Sequence, residues 1–268
     1  MFSWQEQYLT SERSERVRYC SCHSNIKFIS SHCLVISSVS FSRGITVPNQ
    51  RITLSVLPPA SIIYREGPPY VACMYKLYDN AGNSYPAYCD LKSEPGTAWT
   101  LVMSWANLHR ALPSFRTVPL NGNAPVNENA QNWNLYRLSL ARMRSLQAHS
   151  THWRATCSYP TYGVDFRDYV RGNFKDFNVV DFSGSGKCMK VEYVNIRGHM
   201  RMHLTARVWQ GSSFFCHIDS SSSGCQFDPR SGAVSSEDNF GYYGTINPKF
   251  RCNEGALSTT QWWFGAHL

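Results

Sequence analysis

The chain has no long apolar run. Its uninterrupted hydrophobic stretches are only a few residues long, far below the roughly 20 residues that a membrane-spanning helix needs. Charged residues are also few, at 16% of 268 residues, whereas 43% are hydrophobic. Because disordered chains combine low hydrophobicity with high net charge, disorder is excluded as the main state. A chain of this size can bury one large core or two small ones.

Local motifs of catalysis are missing as well. There is no Gly-x-Ser-x-Gly elbow, and the segment Gly184–Lys187 lacks the earlier glycine and the following Ser or Thr of a phosphate-binding loop, so we predict a turn there. His199 and His203 are four residues apart, but no Glu follows His199, as the helix of a metalloprotease requires. The sequence therefore favours a protein that is not an enzyme.

Cysteine, in contrast, is abundant. Ten cysteines are more than a reduced cytosolic protein usually carries, and most of them are dispersed along the chain. This pattern predicts disulfide bonds and an oxidising, extracellular compartment. One cluster holds zinc-type ligands, but its spacings do not match those of structural zinc sites. It comprises Cys20, Cys22, His23, His32 and Cys33.

The net charge of +8 is unevenly distributed. Residues 137–210 hold 12 Lys and Arg against 5 Asp and Glu, whereas residues 211–268 hold 3 against 5. Basic surfaces attract polyanions, and no nucleic-acid-binding motif accompanies this segment. We therefore expect the basic segment to contact acidic polysaccharide or acidic matrix protein, although a charge run is also typical of an ordinary solvated face.

The first sixty residues differ from the rest of the chain. They contain 12 serines and no glycine before Gly44. Their most apolar piece, around Cys33–Ile36, begins too far into the chain for an ordinary secretory signal. Residues 1–60 therefore remain unassigned, as an atypical leader or a disordered segment, and residues 61–268 are predicted to form the folded domain.

Two aromatic-rich segments flank the turn residues Asn80–Asn83 and predict a β-hairpin. If the turn centres on Ala81 and Gly82, facing positions sum to 162 or 163, and Cys73 then faces Cys89. We predict a cross-strand disulfide between these two cysteines, which would stabilise the fold by about 3 kcal/mol.

Periodicity predicts the other elements. Every second residue of Trp99–Trp105 is large and apolar, which indicates a half-buried strand. Apolar residues at spacings of three and four predict a helix from about Asn132 to Ala148. Further strands are expected at Trp153–Cys157, Val191–Ile196 and Leu204–Trp209. Together these elements predict an α+β fold with antiparallel sheets and few helices.

The remaining cysteines allow several pairings. Cys216 and Cys225 flank a turn-like segment, which favours a local disulfide, and pairing of Cys225 with Cys252 is the main rival. Cys157 and Cys188 each lie near a predicted strand, and we expect them to pair with one another. Cys252 is then left over. Spacing alone does not determine connectivity.

The segment Tyr88–Val102 resembles the opening of the fibrinogen C-terminal-like domain, in which Tyr-Cys-Asp precedes a glycine run and a Trp-Thr pair. Ser235–Gly241 and Cys252–Gly265 look like the calcium-proximal loop and the terminal Trp pair of that family. Three further segments are similar to fibrinogen-related proteins of corals and anemones, including skeletal organic matrix proteins. They are His149–Cys157, Val191–Gly198 and Asn247–Cys252.

This resemblance covers residues 61–268 and implies a secreted, non-enzymatic protein of the extracellular matrix. The implied setting is the organic matrix of a calcified skeleton, where the protein would bind matrix glycans or glycoproteins. A direct mineral-nucleating role is not expected, because such a role favours dense carboxylates and the net charge has the opposite sign. The alternative is a soluble fibrinogen-related lectin of innate recognition, with or without dependence on calcium.

Two groups of site residues follow from the resemblance. Glu237, Asp238 and Asn239 are the candidate calcium ligands, because they carry the hard oxygen atoms that Ca²⁺ prefers. The spaced Asp-x-Asp pair of the family is missing, and the same run is also typical of a turn or a helix cap. Aromatic residues near the C-terminus are candidates for stacking on sugar rings, or else for the core. They are Tyr242, Tyr243, Trp262 and Trp263.

Overall fold

Antiparallel strands make up most of the computed structural model, which describes residues 72–222 and 224–267. Within this part of the chain, eleven strands form one sheet and three short helices lie outside it. The strands are β1 (Cys73–Tyr78), β2 (Ser84–Asp90), β3 (Thr97–Ala106), β4 (Leu135–Arg137), β5 (His152–Cys157), β6 (Tyr169–Asn173), β7 (Gly184–Ile196), β8 (His199–Gly211), β9 (Phe214–Asp219), β10 (Asp238–Asn239) and β11 (Thr259–His267). The helices are α1 (Pro113–Arg116), α2 (Leu140–Gln147) and α3 (Tyr159–Tyr162).

The strand order is β1-β2-β3-β11-β5-β6-β7-β8-β9-β10, and β4 pairs with β3. The coarse prediction of antiparallel sheet with few helices is confirmed. No helix in the described ranges is long and apolar enough to cross a membrane. The unassigned residues 1–60 and the cluster around Cys20 and Cys33 lie outside the described residues.

The core lies around β11, the last strand of the chain, which is inserted between β3 and β5. The strand predicted at Trp99–Trp105 is confirmed as part of β3, but it is not half-buried, because all ten residues of β3 are buried. Its polar side chains face a covered surface rather than water. The Ser104 hydroxyl, for example, donates to the carbonyl of Trp133 at 2.5 Å. The apolar and polar residues that alternate along β3 therefore lie on its two opposite faces, and both faces are buried.

The predicted helix from Asn132 to Ala148 is only half right. Helix α2 occupies the second half, whereas Leu135–Arg137 forms β4 and pairs with β3. The Asn132 side chain explains the difference, because its Oδ1 accepts the backbone N–H groups of Asn134 and Leu135. Such a local side-chain to backbone turn competes with the first turn of a helix. The chain therefore enters the sheet before the helix begins.

The predicted turn at Gly184–Lys187 is wrong, because these residues begin β7. The register between β7 and β8 shifts between Gly184 and Lys187, and Gly186 has φ +64°. A glycine in the left-handed region next to a shifted register is typical of a β-bulge. The glycine-rich pattern therefore marks an irregularity inside a strand.

The β1–β2 hairpin has the predicted register, and Cys73 faces Cys89. Cys89 is disulfide-bonded, but Cys73 is not its partner. The predicted Cys73–Cys89 bond is therefore wrong, although the positions do face each other. A facing register sets the Cα positions, whereas a disulfide also requires suitably directed Cβ atoms.

The two disulfides that the described residues form with each other are Cys157–Cys252 and Cys188–Cys225. The predicted Cys157–Cys188 bond is wrong because β6 separates β5 from β7. Two strand spacings amount to about 10 Å, beyond the reach of a disulfide.

The predicted Cys216–Cys225 bond and its rival Cys225–Cys252 are also wrong. Cys216 lies in the core as a thiol with an exposure of 2%, whereas Cys225 bonds to Cys188, an exposed residue of β7. Cys252, which the scheme left over, bonds to Cys157. Burial raises the pKa of the Cys216 thiol well above its usual range.

Candidate functional site

Three of the four aromatic residues predicted to contact a ligand lie in the core. Trp262 stacks on Trp153 with ring centroids 5.8 Å apart, and Trp263 is fully buried. The Tyr243 side chain is 1% exposed. These rings therefore present no face to a ligand in this conformation, and that part of the prediction is corrected. Only Tyr242 is half-buried.

The candidate calcium ligands Glu237, Asp238 and Asn239 do not converge on one point. The buried Glu237 carboxylate pairs with Arg197 and accepts the side-chain amides of Asn239 and Asn247. The Asp238 carboxylate instead accepts the backbone N–H groups of Gly244 and Thr245. Among the described residues, no group of three or more His, Cys, Asp and Glu side chains is arranged to hold a metal ion.

A strongly basic cleft of about 600 Å³ lies elsewhere on the molecule. We call it the basic cleft. Four Arg and Lys side chains line it, together with one histidine and one carboxylate. These charged and titratable residues are Arg167, Arg197, His199, Lys249, Arg251 and Glu254.

Separate parts of the chain build this cleft. Arg167 lies in the loop before β6, and Arg197 lies in the two-residue turn between β7 and β8. Arg197 and Gly198 both have positive φ, at 54° and 89°, as the tight turns of β-hairpins require. Lys249 and Arg251 come from the segment that leads to β11. The cleft exists only because the fold brings these loops together.

Two of the cationic side chains are neutralised by the protein itself. Arg197 is buried and forms an ion pair with Glu237. Arg251 pairs with Asp165 at 2.5 Å, and its guanidinium lies 4.1 Å from the ring centroid of Tyr162. These two residues form the fixed wall of the basic cleft.

The other two cationic side chains remain uncompensated. Arg167 and Lys249 are exposed, and neither has an ion-pair partner within residues 72–222 and 224–267. Glu254 is the only carboxylate in the lining, and its Oε2 accepts the hydroxyl of Tyr162 at 3.3 Å. The basic cleft therefore presents a net positive charge to solvent, which is the electrostatic requirement for an anionic ligand.

One buried carboxylate organises these loops. Asp168 has no exposed surface and accepts the backbone N–H groups of Arg197 and Arg251 through its two oxygens. Burial raises the pKa of the Asp168 carboxyl, while the two amide hydrogen bonds oppose that shift. Phe166 and Asp168, on either side of Arg167, both have left-handed backbone. The cleft loop is thus held in a sparsely populated conformation by tertiary hydrogen bonds.

Sequence reasoning did not find the basic cleft, although part of its signal was visible. Arg167 and Arg197 belong to the basic segment 137–210, and Lys249 and Arg251 belong to the segment Asn247–Cys252 that carried the family resemblance. Nothing in the linear pattern places these four side chains together. Comparison with family models, with curated proteins and with solved structures finds no match.

Proposed function

We propose that this protein is a secreted, non-enzymatic, fibrinogen-related component of an extracellular matrix, and that it binds acidic matrix glycans or glycoproteins in the basic cleft. The observation that carries the proposal is the uncompensated charge of Arg167 and Lys249 beside the fixed wall of Arg197 and Arg251. The family resemblance of the sequence adds the setting, the organic matrix of a calcified skeleton.

The chemistry of the cleft suits sulfate esters and carboxylates. A guanidinium presents a planar set of donors that matches either group with two hydrogen bonds. Lysine adds a mobile point charge. The disulfides Cys157–Cys252 and Cys188–Cys225 support the proposal further, because such bonds persist in oxidising, extracellular surroundings.

The test compares two double variants with the same change in net charge. In the first, Arg167→Gln and Lys249→Gln remove the uncompensated charges of the cleft. In the second, Lys187→Gln and Lys190→Gln remove two exposed charges of β7 that do not line the cleft. Both lysines are at least seven positions from Arg197 along the chain. Binding to an immobilised sulfated glycan is measured by surface plasmon resonance in low and moderate salt.

We expect the cleft variant to lose roughly tenfold or more in affinity and the β7 variant to lose far less. Higher salt should weaken the binding of wild type, because salt screens exposed charges. Equal losses in both variants would show that net charge, rather than the cleft, attracts the glycan. Binding of neutral sugars that disappears on chelation of calcium would instead favour the lectin alternative, for which Tyr242 is the accessible aromatic residue.

A further inference from the structure

The carboxylate of Glu254 lies in the basic cleft without an ion-pair partner. Glu254 is exposed and lines the cleft, but no Lys, Arg or His side chain of residues 72–222 and 224–267 forms an ion pair with it. Arg251 lines the same cleft and lies only three positions earlier in the chain, yet it pairs with Asp165. The single carboxylate among the described lining residues is therefore not neutralised by the cations around it.

Tyr162 holds this carboxylate in place. The Arg251 guanidinium lies 4.1 Å from the centroid of the Tyr162 ring, and the hydroxyl of the same ring donates to Oε2 of Glu254 at 3.3 Å. One ring thus contacts the cation with its face and the carboxylate with its hydroxyl. Tyr162 itself is 40% exposed. The cleft therefore presents a positioned hydrogen-bond acceptor to solvent beside its cationic donors.

We propose that Glu254, held by Tyr162, makes the basic cleft select acidic sugars that keep free hydroxyl groups, such as uronic acids, over fully sulfated sugars. This inference rests on the proposed function, because Arg167 and Lys249 must bind the anionic group. An ionised carboxylate only accepts hydrogen bonds, and a hydrogen bond to a charged acceptor is stronger than a neutral one. A free sugar hydroxyl supplies the donor, whereas a sulfate ester has none and adds a like charge, which is unfavourable beside a carboxylate.

Exposed glutamates are common on protein surfaces, and the test must separate selection by Glu254 from a general effect of charge. Glu254→Gln removes the charge and keeps the shape of the side chain. The matched control is Asp176→Asn, which changes the net charge by the same amount. Asp176 is exposed and does not line the cleft.

The experiment uses the full chain with its disulfides intact and two probes of equal length, an oligogalacturonate and a fully sulfated oligoglucoside. Isothermal titration calorimetry at neutral pH and constant salt gives both affinities and their ratio. We expect Glu254→Gln to shift this ratio about fivefold or more towards the sulfated probe, because a charge-assisted hydrogen bond is lost with one probe and a repulsion with the other. Tyr162→Phe should shift the ratio in the same direction by a smaller factor, because the carboxylate keeps its charge but loses the bond that positions it. Asp176→Asn should leave the ratio unchanged.

The proposal is overturned if Glu254→Gln keeps the wild-type ratio, or if Asp176→Asn shifts the ratio equally. The double variant Arg167→Gln and Lys249→Gln tests the underlying site separately, and it should weaken the binding of both probes. If it weakens neither, the proposed function fails together with this inference. If it weakens both while Glu254→Gln keeps the wild-type ratio, the cleft binds anions and only the selection by Glu254 is refuted. Far-UV circular dichroism of each variant confirms that the fold is retained.

Discussion

The Asp168 carboxylate accepts the backbone N–H of Arg197 at 2.5 Å and so attaches the β7–β8 turn to the loop before β6. Its other oxygen accepts the backbone N–H of Arg251 at 3.0 Å. One buried side chain therefore connects three chain segments that supply cations to the basic cleft. Because cationic side chains repel one another, these hydrogen bonds of the Asp168 carboxylate add to the ion pairs of Arg197 and Arg251 in keeping the three segments close.

Asp168→Asn should therefore weaken both the fold and glycan binding. An amide keeps one acceptor but turns its NH₂ group towards a backbone donor, and a buried donor left without a partner costs about 1–3 kcal/mol. Urea denaturation measures the loss. The control Asp228→Asn removes an exposed ion pair with Arg230 and should change the stability far less, because solvent screens exposed pairs. Equal destabilisation by the two substitutions would contradict the organising role of Asp168.

Arg154→Met should destabilise the fold strongly. The Arg154 side chain is completely buried, pairs with Asp90 at 2.7 Å and with Glu94 at 2.6 Å, and lies between the rings of Trp99 and Trp263. Methionine would fill part of the space but leave the buried Asp90 carboxylate without its cation, which typically costs about 3–5 kcal/mol, while Glu94 would keep its ion pair with Arg171. The free energy of unfolding in urea measures the effect. The exposed control Arg230→Met should change it far less, because its ion pair is screened by solvent, and an equally small change for Arg154→Met would refute the prediction.

Asp238→Asn should change how the free energy of unfolding depends on pH. Burial raises the pKa of Asp238 to about 6 and lowers the pKa of the neighbouring His217 to about 4, and His217 Nε2 lies 3.6 Å from Asp238 Oδ1. The raised pKa of Asp238 stabilises the fold below about pH 4, and this contribution is lost as the pH rises towards 6. The lowered pKa of His217 stabilises the fold above about pH 6.5, and this contribution is lost as the pH falls towards 4.

In wild type, the Asp238 contribution to stability falls as the pH rises, whereas the His217 contribution increases. Removal of the Asp238 carboxyl leaves only the His217 contribution. Between pH 4 and 6.5, we expect the stability of Asp238→Asn relative to wild type to rise by about 2–3 kcal/mol. Urea denaturation at several pH values measures the difference. A difference that is flat across this range, or that falls as the pH rises, would contradict the assignment.

The disulfide Cys188–Cys225 should be reduced before Cys157–Cys252. Cys188 is exposed and Cys225 half-buried, whereas Cys157 and Cys252 have exposures of 3% and 0%. A reducing thiolate must reach a sulfur atom directly, so accessibility decides the order. Mild dithiothreitol followed by alkylation and peptide mass spectrometry measures it. Earlier labelling of Cys157 and Cys252 would contradict the described burial.

Local chemistry accounts for the elements that could be predicted. The register of the β1–β2 hairpin followed from its Asn/Gly turn, because a short turn determines which residues face each other. The helix predicted from Asn132 failed in its first half for an equally local reason, since the Asn132 side chain captures two backbone amides. That competition is not visible in a pattern of apolar spacings.

By itself the sequence determined the strand-rich character of the chain, the hairpin near its cysteines and the excess of positive charge, because these depend on composition and on neighbours along the chain. Only the tertiary structure decided which cysteines bond, which aromatic rings are buried and where the cations meet. The insertion of β11 between β3 and β5 buries Trp262 and Trp263, and the strand order brings Arg167, Arg197 and Lys249 to one cleft. Such contacts join residues far apart along the chain, and a linear spacing carries no information about which loops a sheet places side by side.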